Sequence, residues 1–246
     1  MTTLLLHPIG LDRHTWDGVA IDNALAVDLP GHGGAPGAEL PSLDDIADAV
    51  LEAVPLELGP LDVVGLSLGG MVALHAVLRH PQRIRSLVVA CAPALSPADA
   101  MLQRAADTER LGMGGMMPST LQRWFSADIL EHTPDFVDTA ARMLLANDPR
   151  VVAHFWRLIS QHDVRTRLSE IRVSTTIVAG RADLSVPRPA AQALARCAGQ
   201  NRVAWRAALT LASRADGRER ERAGRCGVRA CGIARRGARG DCRCVL

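Results

Sequence analysis

The run Leu61-Asp-Val-Val-Gly-Leu-Ser-Leu-Gly-Gly70 constrains the fold more than any other part of the chain. It is a G-x-S-x-G pattern centred on Ser67, with an apolar strand-like stretch before it and a helix-like stretch, Gly69 to Arg79, after it. A serine on so tight a strand-to-helix turn takes a strained backbone conformation. Its neighbours two positions away must lack side chains, which Gly65 and Gly69 satisfy. Gly70 lets the helix lie close to the strands. Such a turn pushes Oγ into a cleft and aims the N–H groups of a helix N-terminus at the same point. The other reading is a glycine-rich turn that binds phosphate or nothing. The patterns G-x-G-x-x-G and G-K-S/T, which would favour it, are both absent.

The rest of the chain alternates in the same way. Thr2 to His7, Ala24 to Asp28, Leu61 to Val64, Ser86 to Ala92, Ile171 to Gly180 and the start of a strand at Arg202 to Trp205 are short apolar runs. Several show no polar alternation, as expected of strands buried on both faces. Helices are predicted over Leu43 to Val54, with Ser42 and Asp45 as an N-cap signal, over Gly69 to Arg79, and over Pro189 to Cys197. Strands alternating with helices imply an α/β fold with a mainly parallel sheet. Residues 96–169 differ in character. They hold most of the methionines, the aromatics Trp124, Phe125, Phe155 and Trp156, and a glycine-rich stretch, Leu111 to Pro118, that reads as a loop. Several helices are expected here, either covering an adaptable apolar pocket or simply packing a core.

Of 246 residues, 48% are hydrophobic, enough for a sizeable core. All 28 basic residues are arginine. Residues 206–246 carry 11 Arg against 4 acids, while residues 1–205 carry 17 Arg against 22 acids. The mildly acidic body argues against a nucleic-acid binder. The longest uncharged stretch, Val63 to Leu78, is 16 residues interrupted by glycines and His75, short of the roughly 18 apolar residues of a membrane span. With no signal-peptide pattern at the start, the expected location is cytoplasmic.

Four motifs in order resemble the α/β-hydrolase family over about residues 2–205: His7-Pro-Ile-Gly10 followed by Trp16, Asp28-Leu-Pro-Gly-His-Gly33, the Ser67 turn, and Ala179-Gly-Arg-Ala-Asp183 with Val186-Pro187. The resemblance implies a core of residues 1–95 and 170–205, with 96–169 as a helical cap. It also implies hydrolysis of a small carboxylic ester or lactone without metal or organic cofactor. Ser67 would be the nucleophile, with the N–H groups of Ile9 and Leu68 as the oxyanion hole. Asp183 would orient a histidine, or else only cap a helix. His7, His32 and Asp28 read as loop-structuring residues. The segment Arg123-Trp-Phe125 is similar to one in 3-oxoadipate enol-lactonases. Arg123 and Trp124, with Met71 after the serine turn, are the expected substrate-binding residues. Arg123 could pair with a substrate carboxylate or be a solvated helix residue.

The family's histidine should follow the strand near Trp205, but the last histidine of the chain is His162. From about residue 206 the family pattern gives way to Arg, Gly, Ala and Cys, with no apolar periodicity. Three accounts compete: out-of-frame translation of this atypical tail, a ligand binder without turnover, or a substitute histidine from His132, His154 or His162. The family's first hairpin also looks short or missing, which would leave an exposed sheet edge.

Overall fold

The protein is represented by a computed structural model that describes residues 1–37, 40–180, 191, 192, 194 and 203–206. Six strands are present among these residues: β1 (Thr3–Leu6), β2 (Ala24–Val27), β3 (Leu61–Leu66), β4 (Ile84–Ala90), β5 (Ser174–Gly180) and β6 (Val203–Arg206). They form one sheet in the order β2-β1-β3-β4-β5-β6, and every pairing is parallel. Parallel strands need crossovers on the sheet faces, so the central strands are covered on both sides. Leu4, Leu5 and Leu6 are each only 1% exposed, which explains why β1 reads as an unbroken apolar run. Among the described strands β2 and β6 end the sheet, and Ala24 of β2 is exposed.

Helix α1 (Leu43–Glu52) starts at Ser42, whose hydroxyl accepts the Asp45 N–H at 3.2 Å. Its buried residues Leu43, Ile46, Ala47, Val50 and Leu51 repeat at helical spacing and form one apolar stripe. Helix α2 (Leu68–Arg79) lies between α1 and the sheet, is buried nearly all round, and stops before Pro81. β4 ends at Ala90, short of the expected Ala92, because Cys91 takes a left-handed φ of 48°.

Residues 98–160 form four helices: α3 (Ala98–Trp124), α4 (Ala127–His132), α5 (Pro134–Leu145) and α6 (Pro149–Ser160). The loop expected over Leu111 to Pro118 is instead part of α3. The chain breaks only at Gly112 (φ 66°, ψ 176°) and resumes as helix, because Met113, Met116 and Thr120 bury the far half. Met101, Ala105, Val152, Phe155 and Trp156 belong to the same apolar cluster as the sheet residues Leu4, Val63 and Leu87. This part of the insert is therefore continuous with the core, while Phe125, Ile129, Val137 and Ala140 form a smaller cluster of their own with Leu11. Of the helix expected over Pro189 to Cys197, the described residues 191, 192 and 194 are helical. Asp183, Val186, Pro187 and the tail from residue 207 lie outside the described residues.

Candidate active site

Ser67 sits between β3 and α2 with φ 53° and ψ −113°, a conformation that costs a non-glycine residue about 1–3 kcal/mol. The surroundings enforce it. The Ser67 N–H donates to the Ala90 carbonyl at 2.8 Å, and the Met71 N–H donates to the Ser67 carbonyl at 3.0 Å. A methyl group at Gly65 would collide with the Gly69 carbonyl, and one at Gly69 would collide with the Leu6 carbonyl. At Gly70 it would stand 2.8 Å from Ala92 Cβ. The serine side chain makes no capping hydrogen bond and is half-buried.

The loop after β1 is pinned to this turn, since the Gly69 N–H donates to the His7 carbonyl at 3.1 Å. His7 is fully buried. Its Nε2 accepts the Leu29 N–H at 2.8 Å and its Nδ1–H donates to the Pro8 carbonyl at 2.8 Å. Burial lowers its pKa to about 4, so the ring is neutral and braces two loops. His32, tilted against His7 and edge-on to Phe155, is lowered to about 3 by burial first and by His7 next. Asp28 accepts the N–H groups of Arg13 (2.8 Å) and Gly34 (2.9 Å). Burial raises its pKa, but these bonds outweigh that and hold it below its usual value. Both histidines and Asp28 thus shape loops. Among the described residues, neither the Ile9 N–H nor the Leu68 N–H donates a hydrogen bond within the protein. The Leu68 donor adjoins Ser67 in the chain, and the Ile9 donor lies on the loop that the Gly69–His7 bond ties to the serine turn.

A small apolar cleft opens between that loop and the helical insert. Ile9 and Gly10 form one wall. Thr108, Met113, Met116, Thr120 and Trp124 from α3 form the other, with Leu144, Val152 and Trp156 behind. Sequence reasoning placed Trp124 here but missed Thr108, Thr120 and Trp156, although Trp156 stood in the aromatic group it noted. It also missed Asn147, whose Nδ2 donates to the Gly10 carbonyl at 2.9 Å and to the Met143 carbonyl at 2.7 Å. That bond couples the insert to the loop. Met71 is buried on α2 and does not line this cleft. Arg123 is half-buried next to Trp124 in the chain, and among the described residues its hydrogen-bond contact is Thr120 Oγ1 at 3.5 Å.

All eight histidines lie among the described residues, and none hydrogen-bonds Ser67. The insert histidines are engaged elsewhere, which argues against a substitute base from this group. His162 is buried, with Nδ1 3.0 Å from His75 Nε2 and Nε2 2.9 Å from the Pro93 carbonyl. His75 in turn meets Asp44 at 2.7 Å. His154 contacts the Leu40 carbonyl, and exposed His132 the Asp128 carbonyl. Among the described residues no cluster of His, Cys, Asp and Glu could hold a metal, and no helix is long and apolar enough to cross a membrane.

Comparison with known proteins agrees with this fold. A pimeloyl-[acyl-carrier protein] methyl ester esterase of Neisseria meningitidis is 32% identical over 197 residues, covering 74% of this chain and 62% of that protein. The 3-oxoadipate enol-lactonase 1 of Acinetobacter baylyi is 31% identical over 159 residues, 63% of this chain and 59% of its own length. The chain thus spans about three fifths of these two relatives. A hydrolase from Pseudomonas aeruginosa superposes with a TM-score of 0.79 at 26% identity, covering 92% of this chain and 86% of that one. The enol-lactonase from Burkholderia xenovorans gives 0.80 at 24% identity, covering 92% and 87%, a likeness of fold. The alpha/beta hydrolase family model matches residues 3–217. With named esterases and a lactonase as relatives and the fold described above, the chain belongs to the alpha/beta hydrolase family.

Proposed function

We propose that this chain hydrolyses a small carboxylic ester or lactone through an acyl-enzyme on Ser67, as an impaired catalyst. The observation that carries the reading is the forced left-handed conformation of Ser67 on its strand-to-helix turn, and the N–H groups of Ile9 and Leu68, which donate to no group among the described residues, support it. Ser67 Oγ attacks the carbonyl carbon, and the oxyanion is held by those N–H groups. The C–O bond to the alcohol breaks, the alcohol leaves with a proton, and water then releases the acid. Residues 96–169 act as the cap, with Trp124 and Arg123 on the substrate side, and Asp183 is the acid of the triad. The enol-lactone of 3-oxoadipate is the candidate substrate. The protein works in the cytoplasm and needs no cofactor.

The absence of a histidine at Ser67 sets the rate. A neutral hydroxyl is a weak nucleophile, and loss of a triad base costs about 10⁴–10⁶ in kcat. The same observation favours a second reading, a ligand binder without turnover. A fluorophosphonate probe separates the two. Stoichiometric labelling that disappears in Ser67→Ala supports the hydrolase reading. No labelling of a folded protein refutes it and leaves the binder.

A further inference from the structure

Two segments join the helical insert to the sheet, residues 93–96 after β4 and residues 161–164 after α6, and they pair with each other. The Ser96 N–H donates to the His162 carbonyl at 3.0 Å, the Val164 N–H donates to the Ala94 carbonyl at 2.9 Å, and Leu95 and Asp163 form an antiparallel bridge. His162 sits in this root of the insert and is 1% exposed. Its Nε2 lies 2.9 Å from the Pro93 carbonyl and its Nδ1 lies 3.0 Å from His75 Nε2 on α2. His75 Nδ1 lies 2.7 Å from Asp44 Oδ1 on α1. Three contacts in series thus run from the root, through α2, to a carboxylate whose side chain is 36% exposed.

The count of donors decides what this series needs. The Pro93 carbonyl only accepts, so His162 Nε2 carries a hydrogen. With His162 neutral its Nδ1 accepts, and His75 Nε2–H donates to it. His75 Nδ1 then faces a carboxylate oxygen at 2.7 Å and needs a hydrogen as well. All three contacts are hydrogen bonds only when the cluster holds one proton beyond two neutral rings and an ionised carboxylate. Placing that proton on His162 keeps the count, but burial lowers His162 to about 4, so His75 carries it. Without it, two ring nitrogens face each other as acceptors, or His162 turns a lone pair toward the Pro93 carbonyl. Either arrangement leaves one buried contact unmade. Burial lowers His75 too, with Asp44 opposing and the Arg167 and Arg79 charges adding to burial, so the extra proton enters on the acid side of 6.5. The other charged groups around the series are themselves engaged. Arg79 reaches Asp44 at 3.7 Å and also pairs with Asp48, Asp163 pairs with Arg165 at 2.7 Å, and Arg167 bonds Glu170 and the Leu78 carbonyl. Residues 93–96 contain no charged side chain.

We propose that Asp44, His75 and His162 are a proton-operated latch on the root of the helical insert: one extra proton completes the three bonds and ties the root to α1 and α2, and its loss releases one of them. The proton comes from solvent at the exposed edge of Asp44 and binds His75 Nδ1. Helices α3 and α6, which supply most of the cleft wall, hang from the two root segments, so the latch sets how firmly that wall is held. It does so whether or not Ser67 is a nucleophile.

Long-range 15N–1H spectra of the histidine rings and hydrogen exchange, both on the full 15N-labelled chain, test the latch. At about pH 5.5 His75 should be doubly protonated, and His162 neutral with its hydrogen on Nε2. From about pH 7.5 to about 5.5, protection of the Ser96 and Val164 amides, corrected for intrinsic rate, should rise about tenfold, the worth of one hydrogen bond. Protection of the β3 amides should not rise with it. Asp44→Asn is the decisive variant. A carboxamide can donate to His75 Nδ1 where a carboxylate cannot, so neutral rings then complete the series, and root protection should stay high at both pH values. In Asp44→Ala it should be low at both. A His162 hydrogen on Nδ1 at the acid pH, root protection that is flat or merely follows β3, or an Asp44→Asn profile like that of the wild type overturns the proposal. If a variant does not fold, the wild-type ring states and root protection decide.

Discussion

Replacing Gly65 by alanine tests the packing that holds Ser67. A Cβ there would stand 2.6 Å from the Gly70 nitrogen and collide with the Gly69 carbonyl, both backbone groups with no rotamer to change. Ordinary contact is about 3.5 Å, so the first turn of α2 must retreat by about 1 Å. Overpacking of this kind costs about 1–3 kcal/mol. Alanine offsets about 0.4–1 kcal/mol of this by narrowing the unfolded ensemble. The net loss is about 1–2 kcal/mol, a sizeable part of the 5–15 kcal/mol that holds a domain together. A shift of 1 Å at a reacting group also costs about 10² in rate. Gly114→Ala is the internal control, since nothing lies within 4 Å of a Cβ there and the residue is helical and exposed. It should stabilise by about 0.5–1 kcal/mol. Urea midpoints and the rate of fluorophosphonate labelling are the assays. A Gly65→Ala protein as stable as wild type that labels at the wild-type rate would refute the argument.

Ser67→Gly should raise stability by about 1 kcal/mol, because glycine relaxes the φ 53° strain more than it adds unfolded entropy, and should abolish labelling; a lower urea midpoint would contradict it. Asn147→Ala leaves the Gly10 carbonyl without its donor, while the Met143 carbonyl keeps the Ala146 N–H, so about 1–3 kcal/mol should be lost and labelling slowed by displacement of the Ile9 loop. Unchanged labelling would show that the loop holds its place without the insert. Burial lowers His7 and His162 to about 4 and His32 to about 3, against an ordinary 6.5. Between those values the unfolded chain binds more protons than the native protein, so stability rises with pH and is lost as pH falls from 6.5 toward 4. Each histidine contributes up to about 1.4 kcal/mol per pH unit there. Urea midpoints from pH 7 to 4.5 should fall accordingly, less steeply in His162→Gln; a flat profile would be inconsistent with neutral buried rings.

The sheet was readable in the sequence because parallel strands buried on both faces must be apolar throughout, as Leu4 to Leu6 and Leu87 to Ala90 are. The serine turn was readable because its close approaches admit only glycine, and the spacing of Gly65 and Gly69 records that need. The stretch Leu111 to Pro118 misled because glycine content signals freedom in an isolated segment. Here contacts made by Met113 and Met116 across the insert outweigh it, leaving a single break at Gly112. Asn147 left no local pattern, since its bond to Gly10 spans 137 positions and depends on the finished fold. Arg104 was hidden for a related reason: its stacking on Trp156 joins residues 52 positions apart and exists only in the finished fold.

Ser67 and its neighbours are fixed from below by the sheet, through Ala90 and the loop at His7, whereas nearly all the cleft wall belongs to helices from 98 to 160. The two sets of residues scarcely overlap in the chain, and Gly10 and Asn147 are a point of contact between them. Ligand preference can therefore drift by substitutions in the helices while the serine turn stays under the same steric constraint. A fold divided in this way keeps one chemistry and varies its clientele, which is consistent with relatives named for a methyl ester and for an enol-lactone.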